Sequence, residues 1–136
     1  MSSDCIFCKI ASGEIPSSRI WEDDDILAFL DVSPVSDGHT LVIPKQHFET
    51  FHECDEALAA KTAACVNRIG SRIMEAMKAD GYNILCNNGS AAGQVVSHVH
   101  FHIIPRKEGD GIFDHWPSKQ YGDGAAEAVL EKIKAA

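Results

Sequence analysis

The sequence predicts an α+β domain built on a mainly antiparallel sheet. Short segments rich in Ile, Val, Leu and Phe are separated by tight turns. One long segment instead carries apolar residues at helical spacing, and it falls after three strand-like segments and before two more. Strands, then a helix, then strands with short connections is the order of an α+β sheet, not of alternating βαβ units.

Each element has a local cause. Residues 6–12 (Ile-Phe-Cys-Lys-Ile-Ala-Ser) read as one or two helical turns ended by Gly13, and Pro16 breaks anything further. Residues 18–22 and 25–31 read as strands across the acidic turn Glu22-Asp23-Asp24. Ser33-Pro34 and Asp37-Gly38 mark a connection to a third strand, 39–43, stopped by Pro44. Residues 55–79 form the long helix, with Asp55 as N-cap, Gly81 beyond its end, and Leu58, Cys65, Val66, Ile69, Ile73 and Met77 on one stripe. Residues 82–86 and 96–104 complete the strands, the last closed by Pro105. Residues 125–135 form a small amphipathic helix. The sheet is expected to lay one face on the long helix and leave the other free.

Composition narrows the function. The chain has 136 residues, one domain's worth, and no stretch approaches the ~20 apolar residues of a bilayer span. A net charge of −8 with no basic stripe argues against a nucleic acid polymer as partner. No basic and apolar leader opens the chain, so a reducing, cytoplasmic setting is expected. Five cysteines cannot close into one disulfide set. Cys54, Cys65 and Cys86 lie among apolar neighbours as free thiols, whereas Cys5 and Cys8 form a C-x-x-C pair suited to metal or redox chemistry.

The histidines carry the chemistry. In His98-Val99-His100-Phe101-His102 three imidazoles alternate with apolar residues. As a strand, this places the three rings on one face and Val99, Phe101 and Ile103 in the core. One metal ion held by all three is opposed by geometry, since the outer Cα atoms lie about 13 Å apart. A nucleophile is the second use: the middle ring, neutral at pH 7, attacks phosphorus or an acyl carbon through one nitrogen while the other holds its proton in a hydrogen bond. The flanking rings then stabilise charge and pass a proton to the leaving group. A passive anion site is the third. The loop Asn87–Gln94, with Gly89 and Gly93 ahead of the row, offers backbone N–H groups to a phosphate. Separately, Cys5, Cys8 and His47, with His39 near in sequence and His98 available from the row, make up a structural zinc set. His52 is expected in solvent, and His115 precedes Trp116-Pro117 in the tail.

These motifs together resemble the histidine triad (HIT) family. The likeness extends from the triad to Cys5-Ile-Phe-Cys-Lys-Ile10, Phe29-Leu-Asp-Val-Ser-Pro34, His39-Thr-Leu-Val-Ile-Pro-Lys-Gln-His47 and the loop Asn87–Gln94. It covers residues 4–108 as the domain and leaves 109–136 as a tail with a short helix. The resemblance implies a five-stranded antiparallel sheet with one long helix and short flanking helices. It implies a homodimer whose sheets join into one. It implies hydrolysis or transfer of a purine nucleotide at the α-phosphate, releasing a nucleoside monophosphate, with zinc and no organic cofactor. His100 would attack, His98 and His102 would support it, and His39 would steady the triad. Asp31 would hold the ribose. Ile6, Phe7, Ile10, Phe29 and Val32 would line the base pocket, while Asn87, Gly93 and Gln94 would face the phosphate. Zinc-bearing members use the equivalents of Cys5, Cys8, His47 and His98. Where the family usually has Ser or Thr, this chain has Val95, which removes a hydroxyl from the phosphate region. That departure keeps a non-catalytic nucleotide- or partner-binding module open, beside a metal hydrolase. Amines, a second nucleotide, sulfate and sugar phosphate remain open as leaving groups.

Overall fold

The structure, a computed structural model, describes residues 4–113 and 115–136. Its elements are α1 (Ile6–Ser12), β1 (Arg19–Glu22), β2 (Ile26–Leu30), β3 (Thr40–Pro44), α2 (Glu56–Met77), β4 (Gly81–Leu85), β5 (Phe101–Arg106) and α3 (Ala125–Ala135). The five strands form one antiparallel sheet in the order β1-β2-β3-β5-β4. No helix among the described residues is long and apolar enough to cross a membrane.

Alternation along β2 and β3 explains the layers. Ile26, Ala28 and Val42 point to one face and meet Leu58, Val66, Ile69 and Ile73 of α2. Leu27, Phe29, Leu41 and Ile43 point to the other and meet Phe7 and Ile10 of α1. Here the structure corrects the sequence reading: the face opposite α2 is not free. Strands buried on both faces read as near-continuous apolar runs. Residues 26–30 and 40–44 are such runs, a signal that both sides of the sheet are covered.

The helix ends have simple causes. Asp55 caps α2 by accepting the Leu58 N–H at 2.8 Å. Its C-terminal cap is Lys78 in the left-handed region, not a glycine; Gly81 instead starts β4. In α1 the Cys5 thiol takes the capping position, accepting the Cys8 N–H, and Gly13 (φ 86°) closes the helix.

Pro44 does end its strand, as its last paired residue, whereas Pro105 lies inside β5, which runs one residue further to Arg106. Pro44 pairs with Ile26 and Pro105 with Tyr82. Each turns its carbonyl away from that partner, Pro44 to His98 and Pro105 to the Ser36 hydroxyl. The nitrogen of a strand residue points the same way as its carbonyl, so the missing N–H costs the paired ladder nothing. The last strand is accordingly Phe101–Arg106, not 96–104. Of the three triad histidines only His102 sits in it; residues 98–100 run ahead of it, held by Val99 N–H to the Phe48 carbonyl at 2.8 Å.

Ile69, buried between α2 and the sheet, is remote from the α1 face. Ile69→Ala is expected to destabilise the protein by about 2–5 kcal/mol, read from urea unfolding, through the cavity it leaves. Turnover per folded molecule should not change.

Candidate active site

The α1 face of the sheet carries two histidine clusters and a cavity. Cys5 and Cys8 enter from α1, His47 from the segment after β3, and His98 from the segment before β5. The Cys5 sulfur lies 3.3 Å from His98 Nδ1, and the Cys8 sulfur 3.4 Å from His47 Nδ1 and 3.5 Å from His98 Nδ1. The two Nδ1 atoms are 3.2 Å apart. Tetrahedral ligands about 2.0–2.3 Å from a zinc ion have edges of similar length. His98 Nε2 donates to the Pro44 carbonyl at 2.8 Å, which leaves Nδ1 as a lone pair aimed into the cluster. That outer hydrogen bond is what a metal-ligating imidazole requires. The donor set therefore fits zinc.

Asp31, His39 and His102 also bring metal-ligating atoms together, yet their hydrogen bonds oppose a metal. The Val35 N–H donates to His39 Nδ1 at 3.0 Å, so a neutral His39 carries its proton on Nε2. That Nε2 lies 2.9 Å from His102 Nδ1 and 3.6 Å from an Asp31 carboxylate oxygen. It donates to His102 Nδ1, which forces the His102 proton onto Nε2. A metal on His39 Nε2 would set two N–H groups against each other at Val35. The trio is a directed hydrogen-bond relay ending in a donor on His102.

His100 has the opposite polarity. Its Nδ1 donates to the His98 carbonyl at 2.7 Å, so Nε2 keeps its lone pair. The ring packs edge-on against Phe7, with centroids 5.0 Å apart. His98 and His100 are buried, not arrayed on an exposed face, because α1 covers them. Burial pushes His98 and His102 down to about 4 and lowers His100 and His39 as well. The His98 carbonyl on His100 and the Asp31 carboxylate near His39 oppose that effect without outweighing it. All four rings are neutral at pH 7.

A cavity of about 590 Å³ opens beside His100 and His102, well sized for a small organic ligand. Ile6, Phe7, Ile10 and Phe29 line its apolar part. Asp31, Val32, Asn87, Gly93 and Val95 line the remainder, Val32 and Val95 being almost fully exposed. Asp31 is held in place by accepting the Ser33 N–H at 2.8 Å. Gln94 is not part of the lining. Its oxygen accepts the Gly89 N–H, and its nitrogen donates to the Glu49 and Val96 carbonyls. It staples the loop Asn87–Gln94 to the segment after β3, and Gly89 and Gly93 supply the positive φ angles the loop needs. The sequence reading missed Ile15, Pro16, Ser17, Ser33, Leu41 and Val96, which also line the cavity. Ile15 was legible as a large apolar residue beside Pro16; the others carried no local signal. His52 is exposed, and His115 lies with Trp116 in a separate depression beside β4.

This arrangement belongs to a known class. A family model described as the HIT domain matches residues 12–109, and the chain belongs to the histidine triad family. It is 51% identical to an uncharacterised HIT-like protein of Methanocaldococcus jannaschii, over 96% of this chain and 98% of that protein. It is 42% identical to an adenosine 5′-monophosphoramidase of Schizosaccharomyces pombe, over 96% of each. It is 47% identical to an adenylylsulfatase of Arabidopsis thaliana, over 83% of this chain and 57% of that protein. Among solved structures, a HIT family protein from Bacillus subtilis superposes with a TM-score of 0.91 at 40% identity, covering 98% of this chain and 96% of that one. A zinc-bound histidine triad protein from Mycobacterium smegmatis superposes with a TM-score of 0.77 at 39% identity, covering 97% and 96%.

The buried neutral His102 fixes the sign of an acid effect. Its folded pKa lies below its unfolded value, so between about pH 6.5 and 4 the unfolded chain binds the extra proton. Stability from this group is complete above pH 6.5 and falls as pH drops through that window. His39, His100 and Asp31 face the ring, and Asp31 alone favours its charge. Urea midpoints measured from pH 7 to 4 should fall less steeply for His102→Gln than for the parent.

Proposed function

We propose that this chain hydrolyses or transfers purine nucleotides at the α-phosphate through a nucleotidyl-histidine on His100. The observation that carries the proposal is the polarity of its ring: Nδ1–H is committed to the His98 carbonyl, and Nε2 is left as a neutral nucleophile at the cavity. The relatives named as a phosphoramidase and an adenylylsulfatase support adenylylated substrates.

The reaction follows from the proton positions. The nucleotide lays its base among Ile6, Phe7, Ile10 and Phe29, with its ribose at Asp31 and its α-phosphate at the loop Asn87–Gly93. The Nε2 lone pair of His100 bonds to phosphorus as the bond to the leaving group breaks. The leaving group departs with that electron pair, its developing charge met by a hydrogen bond from His102 Nε2–H, which the Val35–His39 hydrogen bonds orient, and any proton it needs comes from water. Water then attacks phosphorus and releases its proton to solvent. The P–N bond breaks toward His100, and the monophosphate is released. His100 Nδ1–H stabilises the positive ring of the intermediate through the His98 carbonyl.

Cys5, Cys8, His47 and His98 would hold zinc, which supplies structural cross-linking between α1 and the segment bearing the nucleophile. The open edge of β4, where Ile84 is exposed, supports pairing with a second copy of the chain. Val95, which puts an isopropyl group where a hydroxyl would reach the phosphate, favours a second reading, a binding module without turnover.

His100→Gln is expected to lower kcat on an adenosine phosphoramidate by about three decades or more while leaving the melting temperature within a few degrees. A His100→Gln protein with the parent's rate sinks the proposal; nucleotide binding by the parent with no turnover of phosphoramidates, phosphosulfates or dinucleoside polyphosphates selects the second reading. For the metal, elemental analysis of the purified parent is expected to find about one zinc per chain. Cys8→Ser should lose the metal and melt at lower temperature, whereas His100→Gln should keep it.

A further inference from the structure

Ser17 has a hydroxyl with nothing to do in the free protein. Among the described residues its Oγ is the one buried side-chain oxygen or nitrogen without a hydrogen-bond partner. Such a group costs about as much as a lost hydrogen bond, so it calls for a cause. Ser17 lines the nucleotide cavity, directly after the lining residues Ile15 and Pro16. Its place is set by the sheet: Arg19 pairs with Phe29, and the Leu30 N–H donates to the Ser18 carbonyl at 3.0 Å. Continued by one residue, that register brings Ser17 level with Asp31, where the polar and apolar parts of the cavity meet.

We propose that Ser17 is the residue that hydrogen-bonds the polar edge of the nucleobase. This rests on the nucleotide reading of the cavity given above. A purine carries ring nitrogens and exocyclic groups that lose water when the base is buried, and each needs a partner. Ile6, Phe7, Ile10, Ile15 and Phe29 offer none. The ribose hydroxyls are donors, and the Asp31 carboxylate is the acceptor that suits them. Of the other polar side chains in the lining, Ser33 is exposed and Asn87 belongs to the loop set at the phosphate, which leaves Ser17 Oγ for the base. It is bound to nothing, so turning it about χ1 toward a ligand breaks no existing hydrogen bond. A hydroxyl both donates and accepts, so it takes either adenine or guanine, and discrimination is expected between purines that present a polar atom at that spot and analogues that lack it.

The test uses AMP and its 1-deaza, 3-deaza and 7-deaza analogues as probes, with affinities measured by calorimetry on the parent, Ser17→Ala and Ser17→Thr. Ser17→Ala is expected to bind AMP about three- to ten-fold more weakly than the parent. One deaza analogue should lose the same factor with the parent and nothing further with Ser17→Ala, so the two changes are not additive. Ser17→Thr, which keeps a hydroxyl, should recover part of the affinity. Ligand-free Ser17→Ala should melt no lower than the parent, because no bond is lost. Equal AMP affinity in Ser17→Ala and the parent overturns the assignment and leaves the hydroxyl to an ordered water. Coupling to 2′-deoxy- or 3′-deoxy-AMP in place of a base analogue overturns it in favour of the ribose. Failure of the parent to bind AMP at all overturns the nucleotide reading itself, a result distinct from both.

Discussion

The hydrogen bond from His100 Nδ1 to the His98 carbonyl, 2.7 Å long, is the contact on which the site depends. It decides which nitrogen of His100 keeps its lone pair, and the carbonyl that accepts it belongs to a residue pinned at three further points. The His98 ring is tied to the Pro44 carbonyl, its Nδ1 faces Cys5, Cys8 and His47, and the next amide bonds the Phe48 carbonyl. A chain segment outside the ladder is thereby held as firmly as one within it. The cysteine–histidine cluster thus bears on His100 at one remove, by holding the backbone against which that ring is set.

Backbone groups assign every proton in the row. A carbonyl behind His98 keeps its inner nitrogen bare for a metal, whereas an amide behind His39 keeps its inner nitrogen protonated and unfit for one. Two clusters of metal-ligating side chains lie on the same face of one sheet, and the direction of one hydrogen bond in each separates their roles. The same logic gives His100 a lone pair and His102 a proton at the cavity, an acceptor and a donor side by side. Burial lowers the basicity of His98, His100, His102 and His39 alike, which favours their neutral forms.

Much of this was legible in the residues. Asp55 and Gly13 marked helix ends that the structure keeps, and the apolar stripe of residues 58–77 placed α2 on the sheet. The C-x-x-C pair, His47 and His98 do meet as one cluster. The misses have physical reasons. Alternation in 98–102 gives side-chain direction but not what lies opposite, so the cover supplied by α1 was invisible. Pro105 reads as a strand stop yet lies within β5, because a sequence does not tell which edge of a strand a missing N–H faces. Gln94 looks like a phosphate ligand beside a glycine loop, but its amide is consumed by Gly89, Glu49 and Val96, contacts that only the folded chain brings together. Ser17 is an unremarkable serine until its neighbours are known.

The central step proposed for this site is a covalent bond between His100 and phosphorus. Rapid mixing with an adenosine phosphoramidate, quenching at alkaline pH where a phosphohistidine-type P–N bond survives, and intact-mass measurement test it most directly. The prediction is a chain heavier by one adenylyl group, with the addition mapped to His100 and absent from His100→Gln. Full turnover by the parent with no adduct at any time in the first cycle, or an adduct mapped to another residue, would contradict it.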